Sequence, residues 1–542
     1  MATLHFKGKS AVWNHHLSVP YHTLEKDSKK SLKGKDDSEN LIIKGDNLLA
    51  LKSLLPKYQG KVKCIYIDPP YNTGNGGWVY NDNVNSPLIK SWVGKVVGKE
   101  GEDLTRHDKW LCMMTPRLKL LRELLSENGS IFVSIDDNEI EHLWILMNEI
   151  FGEENFIACI TVEGNPRGRD YGGVARMHDY LLVYGKSANT EINDLYDPEK
   201  TFPFTDKISG FEIRELRNRN IAFHIGNRPN LHYPFYVNPN KKDSNDFFEI
   251  SLDKHKGWVE VYPKESQGYK TVWRWGKEKS TKNLNSEIVG KIMESGNEYQ
   301  IVEKYRKKTK MARSIWNDKD VNTEKGTLQL KELFGNKVFS YPKPVEMIMR
   351  VVEMGSQNDD IVLDSFAGSG TTAQAVLTQN DKDNSSRKFI LVEMEDYANK
   401  ITAERVRKFV KKEKTKTGFS YCALGTAIDA DTILSGKLPT YKEFAKYVFY
   451  LATGKNHTDD KKIREKDYFV GKVLNESIYL LYDRNLDSLK KLSITLDWAE
   501  KIHKKDFGKK IVYAPACFLD DEYLEKFNIQ FVSIPYNLFE KK

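Results

Sequence analysis

The sequence predicts a doubly wound, mostly parallel α/β sheet split by a long insert of different character. Three observations carry this. The apolar run Val62-Lys63-Cys64-Ile65-Tyr66-Ile67 stops at Asp68-Pro69-Pro70, which reads as a buried strand ending on a stiff turn. Far downstream, Ile361-Val362-Leu363 runs into Asp364-Ser365-Phe366-Ala367-Gly368-Ser369-Gly370 and then a helix from Thr371. Between them, from about 160 to 335, the strand–helix rhythm gives way to Asn, Gly, Pro and aromatic residues.

Taken in order, residues 1–40 end in a charged run and read as a flexible arm or partner contact, with order beginning at Leu41. Trp110, Met114, Leu118, Leu121 and Leu125 recur at helical spacing, and Pro116 predicts a kink or break in that helix. Asn128-Gly129 predicts its stop, Ser130–Ile135 the next strand, and Asn138–Ile150 another helix. The rhythm resumes where Pro342-Lys343-Pro344 opens a helix, and a strand from Lys388 ends on Glu393. A third α/β-looking region follows from about residue 420. The expected divisions are therefore 1–40, 41–160, an insert over 161–335, a second sheet half over 336–415, and a C-terminal domain over 416–542.

A chain of 542 residues holds three or four domains' worth of material, and 39% hydrophobic content supports a large core. Lys and Arg (84) exceed Asp and Glu (76) by eight, which permits a polyanionic partner without demanding one. The five cysteines form no CxxC pair, so a disulfide framework or a Cys-based zinc site is not expected. With no signal-peptide core and no apolar run of about 18 residues, the expectation is a soluble cytoplasmic protein.

Asp68-Pro69-Pro70-Tyr71 is the strongest chemical signal. At the carboxyl end of a strand, where open α/β sheets bind ligands, it suits an exocyclic amine. Asp68 accepts one N–H and the Pro69 carbonyl a second, orienting the nitrogen lone pair, while Tyr71 stacks on a base drawn out of a duplex. In isolation the tetrapeptide is also an ordinary Pro-stiffened turn; the preceding strand and the following Asn72-Thr73-Gly74 favour the chemical reading. Phe366-Ala367-Gly368-Ser369-Gly370, with Glu393 ending the next strand where an acid grips ribose, reads as a nucleoside-cofactor site. Its alternatives are a plain βα turn or an NAD site, the latter disfavoured because Thr372 replaces the third glycine.

DPPY and FAGSG together resemble the signature pair of S-adenosylmethionine (SAM)-dependent DNA amino-methyltransferases, in the permuted order of the β class. The segments LIIKGDNLLALKSLLP, IYIDPPYNTG, KWLCMMTPRLKLLRELLSENGSIFVSIDDNE, FSYPKPVEMI, VLDSFAGSGTTAQAV and FILVEME look like the Mod subunit of type III restriction–modification systems, as do NHHLSVPYHTLE and IVYAPACFL…IQFVSIPYNL. The resemblance implies a seven-stranded SAM-dependent methyltransferase fold, usually dimeric, and Asp68, Pro69, Pro70 and Tyr71 as the target-base pocket. It further implies Asp364, Phe366, Gly368, Gly370 and Thr371 around the methionine part of the cofactor, Glu393 on its ribose, and Lys343 and Asp46 as further cofactor contacts. The insert would be the target-recognition domain.

Between Lys264 and Arg313, thirteen Lys/Arg outnumber six Asp/Glu and interleave with Tyr269, Trp273, Trp275 and Tyr305. Trp273, Arg274, Trp275, Lys304, Arg306, Lys307 and Lys308 are thus candidate DNA contacts. The alternative is a solvated charged face over an aromatic mini-core, with Trp273-Arg274-Trp275 a strand burying alternate residues. His15-His16 lacks partners at ligand spacing, so no metal is expected. Neither a GxxxxGK[ST] loop nor a nuclease carboxylate cluster is present, so any cleavage falls to a separate Res subunit. The function expected is N6-adenine methylation of double-stranded DNA using SAM. Its rivals are N4-cytosine methylation, a protein or RNA amine substrate, and a non-catalytic recognition subunit.

Overall fold

The computed structural model describes residues 2–35, 39–73, 105–168, 173–220, 222–293, 298–429, 432, 435, 438–455, 457 and 459–534. Gly74 and the end of the C-terminal match beyond 534 lie outside these residues. The chain divides into two compact units, one of residues 1–193 with 312–542 and one of residues 194–311. No helix among the described residues is long and apolar enough to cross a membrane.

The first unit is built on a ten-stranded sheet. In chain order its strands are β1 (Tyr21–Lys26), β2 (Leu41–Lys44), β3 (Val62–Ile67), β4 (Leu125–Ile135), β5 (Phe156–Val162), β6 (Asp179–Gly185), β7 (Ile315–Trp316), β8 (Ile361–Asp364), β9 (Lys388–Glu393) and β10 (Ser420–Ile428). Their spatial order is β1-β10-β2-β9-β8-β3-β4-β6-β5-β7. Every pairing from β10 to β4 is parallel. Such strands are covered on both faces, which is why β3 and β8 read as near-continuous apolar runs.

Helices α1 (Asn47–Tyr58), α2 (Arg106–Leu124), α3 (Ile140–Phe151), α4 (Val345–Gly355), α5 (Thr371–Asp383) and α6 (Glu404–Glu413) belong to this unit. The expected break at Pro116 is absent: α2 runs through it, and its start is locked by a capping box between Thr105 and Asp108. Beside the missing proline N–H, the Thr115 hydroxyl donates to the Leu111 carbonyl and Arg117 Nη1 to that of Met113, both at 2.7–2.8 Å. The helix ends at Leu124 rather than at Asn128, because Leu125 already pairs with Val62 in the sheet.

β3 leads through α2 to β4 on one side, and β8 leads through α5 to β9 on the other. The two starting strands are neighbours, so their onward connections diverge and leave a crevice at their carboxyl ends. Asp68 and Asp364 stand at its two lips.

The expected divisions shift where long-range pairing decides. Residues 1–40 are not a loose arm: β1 pairs antiparallel with β10, and the Tyr21 ring stacks on Tyr447 at 4.6 Å. β10 itself, expected in a separate C-terminal domain, completes the large sheet. The rest of that region forms a four-stranded sheet of β11 (Phe469–Val473), β12 (Glu476–Leu480), β13 (Lys509–Ala514) and β14 (Ile529–Ser533). Of the expected insert, 161–193 supplies β6 and 312–335 supplies β7, leaving 194–311 as the separate unit.

That second unit is a seven-stranded antiparallel sheet. Its order is Val259–Val261, Phe235–Lys242, Phe248–Ser251, Ile288–Ile292, Tyr299–Tyr305, Gly210–Glu215, Phe204–Thr205. Trp273 and Trp275, expected as base-stacking side chains, instead belong to its core with Phe235, Ile288 and Ile301. Trp273 Nε1 donates to the Tyr233 carbonyl at 2.7 Å, satisfying the buried indole. Lys304 is also buried and pairs with Asp206 at 3.0 Å. Arg306 grips Asp206 with both terminal nitrogens at 2.8 Å and reaches Glu287 with Nε. Arg274 pairs with Glu303. Of the seven expected DNA contacts, Lys307 and Lys308 alone are both exposed and without an ion-pair partner among the described residues. The basic excess of the 264–313 window is neutralised in part by Asp206, which lies outside that window.

Truncating Trp273 to Ala should therefore cost about 3–5 kcal/mol of stability in urea unfolding of the full chain. Lys307→Ala with Lys308→Ala should stay within about 0.5 kcal/mol.

Candidate active site

The DPPY loop leaves the buried strand β3 and is held from behind. Trp110 Nε1, on α2, donates to the Pro70 carbonyl at 2.7 Å. Asn72, next after the motif, takes a left-handed φ of 58° and is buried. Its amide donates to the Arg106 carbonyl at 3.3 Å and to the Glu139 carboxylate. Glu139 is fully buried before α3, with His107 Nδ1 at 2.8 Å and His142 Nδ1 at 3.0 Å. Among the described residues these three bring possible metal-ligating atoms within 4.8 Å of one another. Their evident work is to brace Asn72. His15 and His16 make other contacts, His15 with Ser18 and His16 with Glu123.

On the open side, Lys343 Nζ donates to the Tyr71 hydroxyl at 2.6 Å and lies 3.4 Å from Asp68 and 3.6 Å from Asp179. Burial pushes the Asp68 carboxyl above the usual carboxylate range, against the pull of the Lys343 cation and the Tyr71 hydroxyl. Burial works to lower the Lys343 ammonium, but the Asp68 and Asp179 carboxylates outweigh it and the net shift is upward. Burial, with Asp68 beside it, keeps the Tyr71 phenol neutral.

The glycine loop lies across the crevice. Gly370 has φ 79°, and a Cβ there would sit 2.8 Å from the Thr402 carbonyl oxygen, so only glycine fits. The Gly368 N–H donates to Glu393 at 2.8 Å, and the Thr402 hydroxyl donates to the Gly368 carbonyl. Asp364 accepts from Thr372 and from the Phe366 N–H. Burial pushes both the Asp364 and Glu393 carboxyls up to about 7, against the hydrogen bonds each accepts.

A cavity of about 440 Å³ joins the two loops, within the range of about 300–1,000 Å³ usual for small-molecule sites. Asp68, Pro69, Tyr71, Lys343, Asp364, Phe366 and Thr371 form part of its wall. Pro70, Gly368, Gly370 and Glu393 are outside the wall and shape it through the contacts above. Asp46 is also outside this wall. Its carboxylate caps α1 by accepting from the Leu48 and Leu49 N–H groups, and it lies 3.4 Å from Arg117. Its place before Asn47-Leu48-Leu49 was a helix-start signal. Sequence reasoning missed Asp179, Asp136 and Ser369 in the wall, and the brace through Trp110 and Glu139. Asp179 reaches this edge because β6 runs antiparallel to β4, which an apolar run following an acid would have suggested.

A family profile described as DNA methylase matches residues 62–404. The type III restriction–modification enzyme EcoPI Mod subunit of Escherichia phage P1 is 33% identical over 473 residues, 80% of this chain and 70% of that protein. The type II methyltransferase M.KpnI of Klebsiella pneumoniae is 35% identical over 371 residues, 68% of this chain and 83% of that one. Among solved structures, the cytosine-N4-specific PvuII DNA methyltransferase aligns with TM-score 0.34 and 12% identity, over 69% of this chain and 89% of that one.

Because Trp110 supplies the buried partner of the Pro70 carbonyl, Trp110→Phe should lower stability by about 1–3 kcal/mol in chemical denaturation while leaving the far-UV circular dichroism unchanged.

Proposed function

The chain belongs to the DNA methylase family, and from that membership we propose that it transfers a methyl group from SAM to N6 of adenine in double-stranded DNA, as the modification subunit of a type III-like restriction–modification system. The observation that carries this is the cavity at the sheet's switch point that the two motifs share, with the DPPY loop on one lip and the glycine loop on the other.

The cavity fits SAM: its volume is in the range usual for small-molecule sites, and Glu393 and Asp364 bring buried carboxyls to the glycine loop. Asp364, Phe366 and Thr371 in the wall would hold the methionine part, with Gly368 and Gly370 shaping the loop behind them, and Glu393 would order that loop toward the ribose. When bound there, SAM supplies an electrophilic methyl group. Tyr71 offers its ring to the flipped base, held in place by Lys343. Asp68 and the Pro69 carbonyl accept the two amine hydrogens, which aims the nitrogen lone pair across the cavity at the methyl. Asp68 is also placed to take the proton the nitrogen sheds once methylated. No residue forms a covalent bond to the substrate, and the cysteines stand aside. The 194–311 unit reads the target sequence, with Lys307 and Lys308 left as phosphate contacts. The protein works in the cytoplasm as a homodimer, and a separate Res subunit supplies cleavage.

Single-molecule sequencing of plasmid treated with protein and SAM tests this. Methyl-adenine at one short asymmetric motif, on one strand, is expected. Methyl-cytosine would overturn the base, and no mark despite SAM binding would overturn the substrate.

Asp68→Ala should reduce single-turnover transfer by at least about 10³-fold while SAM binding persists. The rate should also fall as pH drops, because protonation removes the acceptor. Since the Asp68 carboxyl is raised, the acid limb should lie above the ordinary value of about 3.9. Lys343→Met should move it higher still, because the cation that holds Asp68 down is gone.

A further inference from the structure

Among the described residues of the first unit three arginines are buried, and two have a carboxylate beside them. Arg117 lies 3.4 Å from Asp46, and Arg387 lies 2.8 Å from Asp383. Arg405, on α6, is different. It is completely buried, and no carboxylate lies within ion-pairing distance among the described residues. Its Nε donates to the Gln374 side chain at 2.8 Å, and its Nη1 to Ser369 Oγ at 2.9 Å and Thr371 Oγ1 at 2.7 Å. Its Nη2 has no hydrogen-bond partner. Burial pushes the guanidinium down to about 9, still high enough to keep its charge at neutral pH. A full positive charge out of water calls for a counter-charge, and the protein supplies none here.

Ser369 and Thr371 are the link from this cation to the cavity, because both line it. Each hydroxyl oxygen accepts from Arg405; Thr371 gives its own proton to the Lys343 carbonyl at 3.3 Å, and the Ser369 proton, 3.2 Å from Thr371 Oγ1, is the one that can turn toward a ligand. Thr371 is also the first residue of a 13-residue helix whose N-cap, Gly370, offers no side-chain cap. Its first-turn N–H groups, at the positive end of the helix dipole, add to an arrangement that favours an anion. Resting on the SAM reading above, the ligand brings one anionic group, the carboxylate of its methionine part.

We propose that Arg405 is a positioning residue that acts through Ser369 and Thr371 as the counter-charge for the cofactor's carboxylate. Arg405 does not touch the ligand. It fixes the two hydroxyls, leaving Ser369 as the donor, and supplies the positive field behind them. The buried cation thus makes the site select nucleosides that carry the amino-acid tail.

The test is calorimetric binding to the full chain of two probes, S-adenosylhomocysteine, which has the carboxylate, and 5′-methylthioadenosine, which lacks it. Arg405→Met should weaken S-adenosylhomocysteine about tenfold or more and methylthioadenosine by less than about twofold, as expected for a charge-assisted contact of about 1.4 kcal/mol or more. Equal weakening of both probes would mean a structural role and overturn the proposal. If circular dichroism shows that Arg405→Met does not fold, the double variant Ser369→Ala with Thr371→Val decides. It should shift the ratio of the two affinities in the same direction, and an unchanged ratio overturns the proposal. A wild-type chain that binds neither probe would instead overturn the SAM reading, and this inference with it.

Discussion

The pairing of β8 with β3 is the constraint on which the site depends. Ile361, Val362 and Leu363 pair in parallel with Val62, Cys64 and Ile65. Parallel neighbours end on the same edge, so Asp68 and Asp364 emerge together although nearly three hundred residues separate them. Everything chemical follows from that edge. The DPPY loop and the glycine loop close one cavity, and Lys343, arriving just before α4, ties Asp68, Tyr71 and Asp179 together across it. Were β8 beside any strand but β3, each motif would survive in sequence and neither would meet the other.

What was legible in the sequence is what local chemistry dictates. An apolar run stopped by two prolines names β3 and its loop, and two glycines between a strand and a helix name the second loop. Both were readable because only their nearest neighbours determine them. The errors lie where distant partners decide. Trp273 and Trp275 flank Arg274 with the alternation that suits either an exposed stacking surface or a strand facing a core, and only Phe235 and Tyr233 settle it. Lys304 and Arg306 looked free for phosphate because Asp206 is about a hundred residues upstream. Asp46 carries a second role that its ligand reading did not include, because the residues that follow it are a helix start that it caps.

The site also concentrates charge that is largely buried. Asp68, Asp179, Asp364 and Glu393 are balanced within the cavity by Lys343 and by backbone N–H donors, and Arg405 stands behind it without a carboxylate. Such groups are costly for stability, and their value lies in preorganisation: donors and acceptors are already aimed before any ligand arrives.

The spatial order of the strands has a consequence for synthesis. β2 and β3 are consecutive in the chain but are separated in the sheet by β9 and β8. When β3 has left the ribosome, the two strands meant to lie between it and β2 are still untranslated. At about 5–20 residues per second, that gap lasts roughly 15–60 s. Throughout it, β2 and β3 each present an open hydrogen-bonding edge with apolar side chains on both faces, the condition under which strands pair with the wrong partner. The permuted order therefore leaves the nascent N-terminal half open to mispairing, and delays completion of the central sheet, and of the active site with it, until β8 and β9 have been made.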